Sequence, residues 1–248
     1  MYFFAKTDIG NNRSNNEDCF GAFAKQGLWI LADGMGGHEA GEVASEIAVQ
    51  HTMQQIAGGA KAEKAIQSTH DKIIESGNNG HGASGMGSTI VTLQMLADRY
   101  KISWVGDSRA YLWKESKNPS LTQLTTDHSY VQSLYEAGTI TLAEIETHPE
   151  KHIITQCLGS LESDTPRVDS VEGSWKEEDT ILMCSDGLSD VLSDVDIATV
   201  IHRSRGLKQA VDALIDTALK AGANDNITVV MVKHPTTWEK FKAKVFGT

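Results

Sequence analysis

An aspartate followed by a glycine-rich turn stands directly after an apolar run, and this order could present oxygen atoms to a cation. The segment Asp33-Gly34-Met35-Gly36-Gly37-His38 follows the apolar residues 28–32. A strand that ends in a carboxylate projects Asp33 from a rigid element, and the glycines leave the carbonyls of the turn accessible. Mg²⁺ and Mn²⁺ take oxygen ligands and keep several waters, so a few such groups suffice.

The same order of residues recurs farther along the chain. Apolar runs end in Ser185-Asp186-Gly187 and in Gly106-Asp107-Ser108, and Asn224-Asp225-Asn226 immediately precedes the apolar residues 227–232. Taken singly, an aspartate beside glycine or asparagine is typical of a turn, because such residues bend and cap the chain for local reasons. Their repetition at strand ends instead predicts a shared site for divalent cations.

A polar loop near the N-terminus adds an arginine and two adjacent acids. Residues 10–18 contain Arg13, Glu17 and Asp18. Guanidinium groups bind phosphate oxygens in a bidentate fashion, so Arg13 is a candidate phosphate ligand. The alternative is a solvated surface loop.

The composition narrows the classes of function. The 248 residues are 40% hydrophobic and 22% charged, as in globular proteins. A net charge of −11 and a pI near 5.2 argue against a nucleic-acid partner. Three cysteines without a C-x-x-C pair are too few for a disulfide framework or a zinc site. We predict no signal peptide and no membrane span, because the apolar runs are too short.

Local patterns predict both strands and helices. Runs rich in β-branched or aromatic residues predict strands at 28–32, 89–96, 102–105, 110–113, 180–184 and 227–232. Only residues 106–109 separate the third run from the fourth, which predicts an antiparallel hairpin. Helical periodicity predicts a helix over 208–221 and weaker ones over 41–57 and 60–76. These elements favour antiparallel sheets with helices on their outer faces.

Three segments lie outside these regular patterns. The glycine-rich residues 77–88 predict a flexible connection, because they lack the Lys-Ser/Thr ending of a phosphate-binding loop. Residues 127–168 predict a flap above the scaffold. Residues 236–248 place three lysines among apolar residues at helical spacing, which predicts an amphipathic tail that binds partners or folds back on the domain. We therefore expect one catalytic domain over 1–235 and a tail over 236–248.

Together the motifs resemble, in order, those of the type 2C metal-dependent protein serine/threonine phosphatases, the PPM family. The resemblance spans nearly the whole chain and is carried by six segments: 13–18, 33–41, 87–89, 106–109, 185–187 and 225–228. A single Asp-Gly pair would be unspecific. The resemblance implies an α+β fold, an α/β/β/α sandwich of two central antiparallel sheets flanked by helices, with a small flap.

The resemblance also implies ligands for two core ions, Mg²⁺ or Mn²⁺. Asp33 matches the position that bridges the two metals, and Gly34 matches the position that offers its carbonyl to one of them. Asp186 and Asp225 match the remaining ligands of the other ion.

Further positions are implied around the two ions. Glu17 and Asp18 match groups that act on the cluster directly or through water, and Asp107 matches part of a third, weaker metal position. Arg13 matches the phosphate clamp. His38 matches the proposed acid that protonates the leaving oxygen.

The implied activity is hydrolysis of phosphoserine and phosphothreonine in proteins by water that the two metals activate. The implied partners are phosphorylated proteins and a cognate Ser/Thr kinase, without nucleic acid or membrane. We expect a monomeric, stand-alone cytoplasmic enzyme of the bacterial type.

Two alternatives stay open. An inactive relative that binds phosphoproteins would have lost ligands, whereas every implied acid is present. Another dinuclear metallohydrolase could use the same metal site on small phosphoesters. A cysteine-based phosphatase is disfavoured, because Lys25 stands where the pattern that begins at Cys19 requires arginine.

Overall fold

The computed structural model describes residues 2–36, 40–96, 98–161 and 165–234 as two antiparallel sheets packed face to face, with helices outside both. The strands are β1 Tyr2–Asp8, β2 Asp18–Phe23, β3 Leu28–Met35, β4 Gly87–Ser88, β5 Ile90–Leu96, β6 Arg99–Val105, β7 Arg109–Lys114, β8 Ser120–Gln123, β9 Asp169–Ser174, β10 Thr180–Cys184 and β11 Ile227–Lys233. The helices are α1 Ala40–Ala57, α2 Ala62–Asn78, α3 Tyr130–Glu136, α4 Leu142–Ile145, α5 Asp186–Ser189, α6 Asp194–Arg203 and α7 Leu207–Lys220.

The strand order confirms the predicted sandwich. Sheet I has the order β1-β11-β10-β7-β8, and sheet II has the order β2-β3-β5-β6-β9, with β4 added beside β3. Every pairing is antiparallel. The first strand pairs with the last, from Tyr2 opposite Lys233 to Asp8 opposite Ile227. Both chain-terminal strands therefore belong to sheet I.

Apolar side chains form three layers that hold the sandwich together. Trp29 and Leu93 of sheet II meet Ile181 and Val230 of sheet I in the central layer, and all are fully buried. Helices α5 to α7 cover the outer face of sheet I, and α1 and α2 cover that of sheet II. Burial of this apolar surface is the main force that keeps both sheets and their strand ends in place.

The predicted hairpin between 102–105 and 110–113 is wrong. Strand β6 pairs with β5 and β9 in sheet II, whereas β7 pairs with β10 and β8 in sheet I. The chain crosses between the sheets at Gly106, whose φ of +104° favours glycine and whose added Cβ would lie 2.7 Å from Thr89 Cγ2. A short turn between two strands fits either connection, and here both strands are largely buried inside the sandwich.

The structure describes the predicted glycine-rich connection and most of the flap. The glycine-rich connection ends in β4, which pairs with β3 through Gly34 and Ser88. The flap contains α3 and α4, and an isolated bridge between Ser88 and Leu158 joins it to the scaffold. The tail 236–248 lies outside the described residues. None of the helices in the described part of the chain has the length and apolarity to cross a membrane.

Candidate functional site

A cavity of about 770 Å³ opens where the strand ends of both sheets meet the flap. Seven of the residues that the sequence predicts for the site line this acidic pocket: Arg13, Glu17, Asp33, Gly34, Asp107, Asp186 and Asp225. Asp18 lies buried beside them, and His38 lies outside the described residues. The fold thus brings together side chains from distant parts of the chain.

Strand register places Asp18, the first residue of β2, directly opposite Asp33 near the end of β3, which continues for two residues beyond the predicted strand end at Asp33. Opposed residues of an antiparallel pair have Cβ atoms about 4.5–5.5 Å apart, so the two carboxylates are neighbours. Ser185 donates its hydroxyl hydrogen to Asp18 Oδ2 at 2.7 Å and thereby joins sheet I to sheet II. Asp18 Oδ1 is buried and has no hydrogen-bond partner among the described residues.

The segment Gly87–Thr89 fixes the backbone that carries Asp33. The Asp33 N–H donates to Thr89 Oγ1 at 3.0 Å, and the Thr89 N–H donates back to the Asp33 carbonyl at 2.8 Å. Ser88 donates its hydroxyl to the same carbonyl at 3.1 Å, and the Thr89 and Ser108 hydroxyls lie 2.8 Å apart. These supporting roles were not predicted, although both segments belong to the quoted motifs.

Close backbone contact explains why glycine follows two of the aspartates. A Cβ on Gly34 would lie 2.0 Å from the carbonyl oxygen of Gly41 at the start of α1. A Cβ on Gly187 would lie 2.0 Å from the carbonyl oxygen of Asn226. Glycine is therefore required after Asp33 and after Asp186, because another part of the backbone packs where a side chain would lie.

Asp186 and Asp225 approach the pocket from the ends of neighbouring strands of sheet I. Asp186 begins α5 one residue after β10 ends, and its carboxyl lies beside that of Asp33. Asp186 Oδ1 is buried without a hydrogen-bond partner among the described residues. Asp225 Oδ2 accepts a hydrogen bond from Arg13 Nη2 at 2.6 Å, and Glu17 Oε2 lies 4.0 Å from Arg13 Nη1. Arg13, the predicted phosphate ligand, thus lies at the pocket beside two acidic residues.

Asn226 holds the N-terminal loop against the start of β11. Its side-chain amide donates to the carbonyls of Ile9 at 2.9 Å and Asn15 at 3.0 Å. Its Oδ1 accepts from the Glu17 N–H at 2.8 Å. This role of Asn226 was not predicted, although the residue belongs to the motif 225–228 that carries the family resemblance.

Asp107 is positioned by the crossing between the sheets and by the first residues of the flap. The Gly106 N–H donates to His128 Nδ1 at 3.2 Å, and the Gly106 carbonyl accepts from the His128 N–H at 3.0 Å. His128 is 5% exposed. The base of the flap therefore holds the turn that carries Asp107.

A second contact joins the flap to the residue that follows α5. Asp190 Oδ2 lies 2.8 Å from His152 Nδ1, and Asp190 Oδ1 lies 3.5 Å from Lys151 Nζ. These three residues line the pocket but were not predicted for it. The available signal was that Asp190 follows Asp186 by four residues, which places both on one face of a helix.

The buried carboxylates raise one another's pKa. Burial, with the charges of Asp186 and Asp225, raises the pKa of Asp18 to about 7. Burial, with the charge of Asp190, raises the pKa of Asp186 to about 6. For Asp33 and Asp107, burial and neighbouring carboxylates raise the pKa well above the ordinary 3.8. Such a site favours an added positive charge.

The donors fit a hard divalent cation. All of them are oxygens, and the unpartnered atoms Asp18 Oδ1 and Asp186 Oδ1 would gain a partner. Within the described residues, no three Asp, Glu, His or Cys side chains are grouped so that they could hold an ion by themselves. Mg²⁺ and Mn²⁺ keep several waters, so direct ligands can be few.

Comparisons with known proteins agree with this geometry. A family model described as protein phosphatase 2C matches residues 9–230. The serine/threonine phosphatase stp of Listeria innocua is 36% identical over 246 residues, which cover 94% of this chain and 96% of the relative.

Two solved structures extend the comparison to the fold. Serine/threonine phosphatase Stp1 of Staphylococcus aureus matches with a TM-score of 0.83 and 30% identity over 94% of this chain and 95% of that one. The catalytic domain of the serine/threonine protein phosphatase PstP, solved in complex with two manganese ions, matches with a TM-score of 0.77 and 32% identity over 94% and 97%. Both structures share the sandwich found here.

Proposed function

Since the chain belongs to the protein phosphatase 2C family and hydrolyses phosphoserine and phosphothreonine in proteins, we propose that the acidic pocket is where this reaction takes place. One observation carries the assignment. Asp18, Asp33 and Asp186 converge at the strand ends of two sheets, and two of their buried oxygens have no partner among the described residues. A protein retains such repulsion where a ligand relieves it.

The ligands that fit this pocket are two divalent cations, Mg²⁺ or Mn²⁺, and the manganese ions in the related PstP structure support this choice. When bound, the cations lower the pKa of water and offset the negative charge on the phosphoryl group. Asp33, the Gly34 carbonyl, Asp186 and Asp225 would hold the two core ions. Glu17 and Asp18 would act directly or through water, and Asp107 would contribute to a third ion.

Arg13 binds the phosphate group in this proposal. Its guanidinium stands at the acidic pocket, held by Asp225 and near Glu17, and its side chain is 47% exposed. The planar fork of nitrogens can take two phosphate oxygens at once. The contacts to the two acids orient the fork before the substrate arrives.

The test of the site compares Asp186→Asn with a matched control. Hydrolysis of a phosphothreonine peptide should require Mn²⁺ or Mg²⁺ and should fall by at least about 100-fold in Asp186→Asn, because an electrostatic ligand is lost. Asp98→Asn removes an exposed carboxylate in the turn between β5 and β6 and should leave the rate unchanged. Activity that survives chelation, or survives Asp186→Asn, would overturn the assignment.

His38 is proposed to protonate the departing seryl or threonyl oxygen. An alkoxide leaves poorly without a proton, whereas an aryl oxide needs less help. His38→Ala should therefore slow hydrolysis of a phosphopeptide more than that of para-nitrophenyl phosphate. Equal losses on the two substrates would count against the acid role.

We also propose that the protein is a monomer that opposes a Ser/Thr kinase in the cytoplasm of a bacterium. The similar phosphatases named above come from bacteria, and the acidic composition disfavours nucleic acid. Deleting the gene should raise phosphothreonine in cytoplasmic proteins, and deleting the kinase as well should reverse the rise. Light scattering should give a mass near 26.9 kDa.

A further inference from the structure

A second cavity, of about 640 Å³, adjoins the acidic pocket beneath the flap. The two cavities share five lining residues: Asp107, Lys151, Asp186, Asp190 and Val191. The volume lies within the range of ligand sites in proteins. A polypeptide whose phosphorylated side chain occupies the acidic pocket therefore has a continuous path into this second space, termed here the flank groove.

The flap side of the flank groove is apolar and partly exposed. Val131 and Tyr135 of α3 and Leu142 and Ile145 of α4 line it. Leu142 is 65% exposed and Tyr135 is 39% exposed. Exposed apolar side chains that gather in a cavity rimmed by polar groups mark a binding surface.

The charges of the flank groove are unbalanced toward the acids. Arg109 and Lys151, which both line the groove, already face carboxylates: Arg109 Nη2 donates to Asp127 Oδ2 at 2.6 Å, and Lys151 Nζ lies 3.5 Å from Asp190 Oδ1. The lining acids Glu146 and Asp194 are exposed and form no ion pair within 4.0 Å among the described residues. Two carboxylates are thus available to a positively charged ligand.

We propose that the flank groove binds the stretch of substrate polypeptide next to the phosphorylated residue and prefers lysine or arginine there. The proposal rests on the proposed function of the acidic pocket. Glu146 and Asp194 would pair with the charged head of the basic side chain, and its aliphatic stem would pack on Leu142 and Tyr135. The protein thus selects phosphoproteins in which basic and apolar residues flank the phosphoserine or phosphothreonine.

The test uses the full chain with Mn²⁺ and two phosphothreonine peptides of equal length, one with lysines and one with glutamates on both flanks. The native protein should show the higher kcat/KM on the lysine peptide, through a lower KM. In Glu146→Gln/Asp194→Asn the ratio of the two kcat/KM values should fall about fivefold, the effect of two weak ion pairs. In Glu146→Lys/Asp194→Lys the preference should reverse.

The control variant Glu150→Gln/Asp71→Asn removes two exposed acids that do not line the groove, and it should leave the ratio unchanged. Para-nitrophenyl phosphate is too small to span both cavities, so it reports on the acidic pocket alone. Hydrolysis of both peptides at one rate, or an unchanged ratio in the double variants, would overturn the flank groove while leaving the phosphatase assignment intact. Failure of the native protein on every substrate would instead count against the proposed function.

Discussion

Two groups of carboxylates in this protein have opposite electrostatic environments. On the outer face of sheet II, Glu63 of α2 pairs with Lys101 of β6, and Ser170 donates its hydroxyl to Glu63 Oε1 at 2.9 Å. Partial burial would raise the pKa of Glu63, but the hydrogen bonds from Lys101 and Ser170 lower it to about 2. In the acidic pocket, burial and neighbouring acids instead raise the pKa of Asp18 to about 7.

The opposite pKa shifts distinguish a structural ion pair, at Glu63, from a binding site, at the acidic pocket. The chain supplies its own cation to Glu63, so this carboxylate contributes to stability as it stands. Asp18, Asp33 and Asp186 face one another, and their repulsion costs stability until a cation enters. Groups that work against folding in this way are expected where function requires them.

The largest effect is expected from Asp33→Asn. Loss of the carboxylate that we propose as a ligand of the two cations should lower phosphopeptide hydrolysis about 1,000-fold, which corresponds to about 4 kcal/mol of transition-state stabilisation. In the presence of a chelator, the free energy of unfolding of the same variant should be about 1 kcal/mol higher than that of the native protein, because one of the repelling carboxylates is gone. Denaturant titration measures the second effect, and a less stable variant would contradict the repulsion.

Gly34→Ala should destabilise the protein by about 3 kcal/mol. The alanine Cβ would lie 2.0 Å from the Gly41 carbonyl oxygen. Because the Cβ is fixed to the chain and the oxygen belongs to the backbone, the clash cannot be relieved by a side-chain rotation. Gly58→Ala is the matched control, since its nearest contact would be 3.4 Å from the Gln54 carbonyl oxygen. Thermal denaturation of the two variants should differ clearly; equal midpoints would show that the pocket backbone can rearrange.

The pH dependence of stability in chelator should also distinguish the two groups. The pKa of Asp18 is about 7 in the folded protein against an ordinary 3.8, so the folded state binds more protons between these values. Its contribution to the free energy of unfolding should therefore fall by about 3 kcal/mol as the pH rises from 4 to 7. Denaturant titrations measure this contribution as the free energy of unfolding of the native protein minus that of Asp18→Asn. A difference that grows with pH would contradict the shift.

The smallest effect is expected from Glu63→Gln. Because the pKa of Glu63 is lowered from 4.5 to about 2, its stabilising contribution is present above pH 4.5 and is lost as the pH falls toward 2. The pair is partly exposed, so the loss at pH 7 should be only about 0.5 kcal/mol. Glu46→Gln, which removes an exposed acid on α1, should cost nothing measurable. Phosphatase activity should be unchanged in both variants.

Local sequence patterns predicted elements whose signal is carried by neighbouring residues. The predicted strand 180–184 has the observed bounds, and the predicted helix 208–221 differs from α7 by one residue at each end. In contrast, β1 and β2 were missed, because their pairing depends on distant or following strands rather than on their own sequence. The hairpin prediction was wrong for the same reason, since the partners of β6 and β7 are other strands.

The sequence by itself determined which oxygen-bearing residues stand at strand ends, because a strand, an aspartate and a glycine are neighbours in the chain. Only the tertiary structure decided that these ends meet. The register that sets Asp18 against Asp33, and the bond from Ser185 to Asp18 across 167 residues, come from the packing of two sheets. The flank groove likewise exists only because the flap lies against α5. Packing of distant segments depends on the whole apolar core, which no local pattern contains.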